Sequence, residues 1–217
     1  ITYAGYQKLA YLHPKYFVAD EKILSKYDLK ANTYFILRFS NLCAHHDVGI
    51  GGFTMEDILK VIEILKPHGE IYITSEKKLD ERLEAYRLQI NPSDMHQVLA
   101  FSNMLIGDSQ SMSVESAMLG IPSVRFSDFA GRISVLEELE HKYGLAYGVK
   151  TSEPERMYAT IEELLAVPDL KNEFQQRRQK MLSEKIDVTA FFVWFIENYP
   201  ESAKIMRTNP DFQLKFR

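Results

Sequence analysis

Short apolar runs rich in β-branched and aromatic residues recur along the chain: Tyr34 to Phe39, Glu70 to Thr74, Leu88 to Ile90, Met104 to Ile106 and Ser123 to Phe126. Runs of this length, bounded by polar residues, read as buried strands. Between them the apolar positions adopt a helical period. Met55 to Lys66 places Ile58, Leu59, Ile62 and Leu65 on one face, with Thr54 as cap and Pro67 as stop. Lys78 to Tyr86, Asp94 to Phe101 and Ser134 to Tyr143 follow the same logic. Strands alternating with helices predict βαβ units, an α/β fold with a mostly parallel sheet, and right-handed crossovers; about six strands are expected, the last near Leu145 to Tyr147. Beyond Gly148 the pattern is helical only, with Pro154 and Pro168 near two starts and Asp187 capping the run Phe191 to Ile196. That run either closes this domain's own core or contacts another lobe. Arg177-Arg178-Gln179-Lys180 reads as a solvated face, and the segment from Pro200 onward as an appended or loosely held end.

The stretch from Met104 to Phe126 carries the strongest chemical signal. A strand stops at Gly107, a polar loop Asp108-Ser109-Gln110-Ser111 follows, a helix carries Glu115, and Gly120-Ile121-Pro122 leads into the next strand. Ligands of open α/β sheets bind outside the carboxyl ends of the strands. Ser109 and Ser111 sit where free backbone N–H groups and the positive end of a helix would hold a phosphate. The same residues also have a structural use, serines capping a helix and Gly-x-Pro ending it.

The block from Asp108 to Pro122 resembles the nucleotide-sugar motif of GT-B glycosyltransferases and UDP-N-acetylglucosamine 2-epimerases, in the spacing from serine to glutamate and on to Gly-x-Pro. The resemblance implies that the Asp108 loop, through Ser109, Gln110 and Ser111, holds a diphosphate and that Glu115 accepts hydrogen bonds from ribose hydroxyls. The usual glycine pair after the serine is replaced here by Gln110 and Ser111, although close backbone approach to a pyrophosphate is easiest at glycine. The opening Gly5-Tyr6 and Tyr11-Leu12-His13-Pro14 resembles a group of bacterial proteins assigned to the glycosyltransferases by similarity. Together these imply a Rossmann-like three-layer αβα lobe over residues 1–199, a tail at 200–217, and an N-terminal lobe outside this chain, which opens at Ile1. They also imply a nucleotide-diphosphate sugar, UDP-linked, as substrate, no bound metal or cofactor, and a role in bacterial surface-polysaccharide assembly.

Other residues at strand ends join the candidate list. Arg38 closes the first strand, and the loop after it holds His45-His46-Asp47 and the glycines Gly49, Gly51 and Gly52. Parallel strands put such loops on one rim, so Arg38, His45 and His46 are candidates to face the same cleft as Ser109. Arginine offers a diphosphate a fixed fork of donors. A histidine there can donate to phosphate or exchange a proton near neutral pH, and either His45 or His46 is the catalytic candidate. His-His-Asp in a glycine-rich loop also reads as a solvated turn, and adjacent residues rarely converge on one metal ion. The glycines suit a mobile lid but lack the Gly-x-Gly-x-x-Gly spacing. Arg132, in the loop Asp128 to Arg132, is a candidate for phosphate or sugar. Asn91 to His96 precedes a helix where the resemblance implies main-chain recognition of the base, and His96 itself reads as a helix-surface residue.

Composition narrows the alternatives. The 217 residues, 46% of them hydrophobic, suffice for a buried core. A net charge of −4 gives no global pull on a polyanion, so no nucleic-acid partner is expected. The single cysteine, Cys43, excludes an internal disulfide and a cysteine-based zinc cluster and fits a cytoplasmic protein. No apolar run approaches the ~18 residues that cross a bilayer. P-loop, nucleophile-elbow and His-Glu-x-x-His motifs are absent. Two further readings stay open: a non-hydrolysing UDP-sugar 2-epimerase, and a non-catalytic module docking through Phe191 to Ile196.

Overall fold

A computed structural model describes residues 1–39, 52–75 and 78–217. Five strands, β1 (Tyr34–Phe39), β2 (Glu70–Ser75), β3 (Leu105–Gly107), β4 (Ser123–Phe126) and β5 (Tyr147–Val149), form one parallel sheet in the order β2-β1-β3-β4-β5. In β1, Tyr34, Phe35, Ile36 and Leu37 are at most 1% exposed, as expected of a parallel strand covered on both faces. The expected strand at 88–90 is reduced to one parallel bridge, Ile73 to Arg87, with the Leu88 N–H donating to the Ile73 carbonyl at 2.9 Å. That segment flanks β2 at the edge, where lost pairing is tolerated. The last strand lies two residues later than expected, and the third begins one residue later.

The helices flank the sheet: α1 (Leu9–Leu12), α2 (Met55–Leu65), α3 (Met95–Leu99), α4 (Gln110–Leu119), α5 (Ser134–His141), α6 (Pro154–Leu165), α7 (Leu170–Glu184), α8 (Val188–Glu197) and α9 (Glu201–Thr208). The expected helix at 78–86 is a 3-10 turn, Glu81–Tyr86, capped by Asp80. At the start of α2, Thr54 accepts from the Asp57 N–H while Asp57 accepts from the Thr54 N–H, a reciprocal cap. Its buried face is Ile58, Val61, Ile62 and Leu65, each contributing about 1.5–3 kcal/mol by leaving water. Leu59, expected on that face, is exposed, and Val61 takes its place.

Helix α4 lies at the centre, touching α1, α3, α5 and α7 as well as β4. All residues from Met112 to Leu119 are buried, as a helix covered on every side requires. Its polar members are satisfied locally: the Ser113 and Ser123 hydroxyls meet at 2.7 Å, and Ser116 donates to the Ile121 carbonyl at 3.0 Å. Gly120 ends it at φ 71°, its N–H donating to the Ala117 carbonyl while the Ile121 N–H reaches Ser116. Arg178 and Gln175 of α7 cap the remaining carbonyls, donating to Met118 at 2.6 Å and to Leu119 at 2.9 Å. Arg177 donates to the Gly144 carbonyl at 2.5 Å. Arg177 and Arg178 therefore clip loops onto the body and are not the solvated face expected of them; Gln179 and Lys180 are exposed.

The C-terminal segment is no loose end. Phe212 and Phe216, in the 3-10 turn Pro210–Phe216, stack on Trp194 at 4.8 and 5.5 Å between ring centres. The Asp187 N–H donates to the Phe216 carbonyl at 2.7 Å, and Gln213 accepts from the Ala4 N–H at 2.6 Å. Phe191 is buried in this cluster, whereas Val193 and Ile196 point outward. No helix among the described residues is long and apolar enough to cross a membrane.

Gly107 sets the spacing at the sheet's centre. A Cβ there would lie 2.1 Å from the Arg38 carbonyl oxygen, which the backbone of a central strand cannot yield. Gly107→Ala is expected to lower the unfolding free energy by about 3 kcal/mol in urea titration. A loss below about 1 kcal/mol would show that β1 and β3 can separate freely.

Candidate functional site

The chain runs from β1 outward to β2 and then returns to place β3 on the other side of β1. Such a reversal opens a crevice at the carboxyl ends of the two strands, here at Arg38 and at Asp108. The Asp108 N–H donates to the Arg38 carbonyl at 3.2 Å, tying the polar loop to the end of β1. Ser109 then caps α4, its hydroxyl accepting from the Met112 N–H at 3.4 Å. The N–H groups of Gln110 and Ser111 occupy the first helical turn, where no intrahelical acceptor exists. Ser111 is exposed.

Gln110 is turned inward. Its amide nitrogen donates to Ser127 at 2.9 Å and to the Asp108 carbonyl at 3.2 Å, and its oxygen accepts from Arg125. Arg125 is 2% exposed, and burial pushes its pKa down. Beside it, burial pushes the Glu140 carboxyl up, and Glu140 accepts from the Gly148 N–H at 2.9 Å. The Gln110 side chain thus fastens the loop to β4, leaving only its backbone N–H for an anion.

A cleft of about 930 Å³ opens beside Arg38 at the end of β1. Arg38, Thr74, Arg87, Asn91, His96 and Glu115 are among its lining residues. Glu115 is 9% exposed and is the centre of a hydrogen-bond cluster. Its Oε1 accepts from Lys8 Nζ at 2.8 Å and from the Tyr11 hydroxyl at 2.7 Å; its Oε2 lies 3.2 Å from His96 Nε2. Burial alone would raise the Glu115 pKa, but His96, Lys8 and Tyr11 outweigh it and hold the group at about 2. Lys8 is correspondingly raised by Glu115 and Tyr11 against the opposing effect of burial. Tyr11 and Phe17 pack on the His96 ring at 5.6 and 6.4 Å between centres. The Thr74 hydroxyl is buried among the lining residues with no hydrogen-bond partner among the described residues.

The structure therefore brings Arg38 and Glu115 to one cleft; Asp108, Ser109, Gln110 and Ser111 are not among its lining residues, and the loop is linked to it through the Asp108 N–H on the Arg38 carbonyl. Arg132 lies on an exposed loop and does not line it. His45 and His46 lie outside the described residues, as do Gly49 and Gly51. His96 is a cleft residue rather than the helix-surface residue its position suggested. Lys8 and Thr74 were not singled out by sequence, and Tyr11 entered only through the opening Tyr11-Leu12-His13-Pro14, with no role in the site. Lys8 stands 107 positions from Glu115, and no local spacing connects them. No metal-binding cluster of three or more ligands occurs among the described residues.

No protein-family model and no curated protein matches the chain. Solved structures do match. S. aureus MnaA in a UDP co-structure is 13% identical with a TM-score of 0.58, over 89% of this chain and 53% of that one. The calicheamicin glycosyltransferase CalG4 is 15% identical with a TM-score of 0.52, over 79% and 44%. The UDP-GlcNAc 2-epimerase from Methanocaldococcus jannaschii is 12% identical with a TM-score of 0.51, over 69% and 44%. The chain shares its fold with these glycosyltransferase and epimerase structures and spans about half their length or less.

The Glu115 cluster has a pH signature. A carboxyl held at about 2 when folded, against an ordinary 4.5, contributes stability that is complete above pH 4.5 and is lost as pH falls toward 2. The shift corresponds to about 3–4 kcal/mol. In urea unfolding between pH 7 and pH 2, Glu115→Gln should be less stable at neutral pH and should lack that acid-side loss. Parallel curves for the two proteins would mean that Glu115 is not selectively stabilised as the anion.

Proposed function

We propose that this chain is the nucleotide-sugar-binding lobe of a glycosyltransferase that takes a UDP-linked sugar, the remainder of the site lying on a lobe outside residues 1–217. One observation carries the reading: a buried, anionic Glu115 lines a cleft together with Arg38, whose carbonyl holds the Asp108 N–H just ahead of the same helix. Six residues of helix separate Ser109 from Glu115, about 9 Å of rise. A nucleoside diphosphate spans that distance between ribose and terminal phosphate. In this arrangement Glu115 accepts from the ribose, while the Gln110 and Ser111 N–H groups and the Ser109 hydroxyl hold the diphosphate at the positive helix end. Arg38 faces the same cleft and would offset charge on the leaving diphosphate as the bond from sugar to phosphate breaks toward an acceptor hydroxyl. The base would lie against Leu88, Gln89, Ile90, Asn91 and Pro92, which line the cleft. Supporting the two-lobed reading, the chain spans only about half of the structures it matches. The acceptor, a bacterial surface polysaccharide under this reading, and the catalytic group, for which His45 or His46 remain candidates, complete the site in the whole protein.

The epimerase match supports a second reading with the same donor site. Incubating the whole protein with UDP-N-acetylglucosamine separates them, since release of UDP marks transfer and a C2 epimer marks epimerisation. For the chain itself, calorimetric titration with UDP, CDP and GDP should show saturable UDP binding, weakened at least about tenfold in Glu115→Ala. Silence from all three at millimolar concentration would sink the donor-lobe reading and favour a module without a nucleotide.

A further inference from the structure

A carboxylate offers about four acceptor positions, two on each oxygen. On Glu115, Oε1 already accepts from Lys8 at 2.8 Å and Tyr11 at 2.7 Å, so both of its positions are taken. Oε2 faces His96 at 3.2 Å, which leaves one position, and Glu115 and His96 both line the cleft. The two donors on Oε1 are firmly placed. Lys8 and Tyr11 lie either side of one turn of the N-terminal segment, the Ala10 carbonyl between them accepts from Thr189 at 2.6 Å, and the Tyr11 ring packs on His96. Further along the same segment, Lys15 and Tyr16 hold Asp187 at 2.9 and 2.7 Å. The segment is thereby stitched to both α4 and α8.

We infer that Lys8 and Tyr11 are positioning residues that reduce Glu115 to a single open acceptor, so that this site reads one ribose hydroxyl and not the diol as a pair. The inference rests on Glu115 being the ribose acceptor, as proposed above. A carboxylate with both oxygens open would accept from the 2′- and 3′-hydroxyls together, and removing either would weaken binding similarly. With Oε1 filled, only the hydroxyl that reaches Oε2 donates to the carboxylate. The other one meets water or the edge of the cleft. His96, Lys8 and Tyr11 together keep the buried carboxylate ionised, so the one remaining bond is charge-assisted and correspondingly strong.

The test needs no variant to begin with: calorimetric titration of the chain with UDP, 2′-deoxy-UDP and 3′-deoxy-UDP. One deoxy form should bind about tenfold more weakly than UDP, and the other within about twofold of it. Equal losses for both forms overturn the single-acceptor reading while leaving the donor-site reading intact. Absence of UDP binding overturns both. Lys8→Met then frees one position on Oε1, and the previously tolerated deoxy form should now lose affinity relative to UDP, whereas Lys8→Arg should restore the one-sided preference. A merely structural role for Lys8 would weaken all three ligands alike and leave their ratios unchanged, which would count against the inference.

Discussion

A carboxylate in the middle of a helix that is covered on every side is tolerated only where donors replace the water it has lost. Glu115 is that group here, and much of the architecture around it supplies its donors. The N-terminal segment contributes Lys8 and Tyr11, and α3 contributes His96. Removing one donor would leave a charge in a region of low polarity, which costs more than the bond itself contributes. The first seventeen residues are therefore part of the domain's interior chemistry. Their second anchor repeats the device: Asp187 caps α8 and takes Tyr16 and Lys15 on the same carboxylate.

The loop at the start of α4 shows how a departure from a glycine-rich pattern can be accommodated. Glycine permits an anion to approach the backbone because it has no side chain to clear. At Gln110 the side chain is cleared by folding it under the loop, where Arg125 and Ser127 receive it. The consequence reaches into the sheet, since Arg125 is buried in β4 and the open space beside it at β5 is kept by Gly148. A Cβ at Gly148 would lie 2.7 Å from Arg125 Nη2 and 3.2 Å from Glu140 Oε2. Gln110 at the start of α4 and a strand glycine 38 positions later are thus answers to the same packing problem.

What the sequence disclosed follows the range of the forces involved. Strand and helix identity came from local periodicity, and the caps at Thr54, Ser109, Gly120 and Asp187 came from neighbours within a turn. The sheet edge at 88–90 was misjudged because apolar content does not reveal whether a segment finds a full set of pairing partners. Leu59 was misplaced by one helical position, because a face of Ile58, Ile62 and Leu65 fits either flank and only packing selects Val61. The C-terminal residues, marked by Pro200 and Asn209-Pro210 as an appended end, are docked by three aromatic rings, by the Asp187 N–H on the Phe216 carbonyl and by the Ala4 N–H on the Gln213 side chain. In the site, Glu115 and Arg38 were legible as strand-end and helix positions. Lys8, Tyr11, the inward turn of Gln110 and the cleft position of His96 were not, since each depends on a contact between distant parts of the chain.

That division bears on how the cleft works. Residues readable from local pattern, Ser109, Ser111 and Glu115, are those that would meet a ligand, and they sit on one rigid helix. Residues hidden from local pattern are those that set the ionisation and the remaining hydrogen-bonding capacity of Glu115. A helix fixes where an acceptor stands, but the donors packed behind it decide how many bonds it can still make. Since those donors come from the N-terminal segment, any force that lifts this segment from α4 would change both the charge environment and the open positions of the carboxylate. If Glu115 is the ribose acceptor, as proposed, ligand discrimination and the docking of the first seventeen residues are one equilibrium, read at the two oxygens of Glu115.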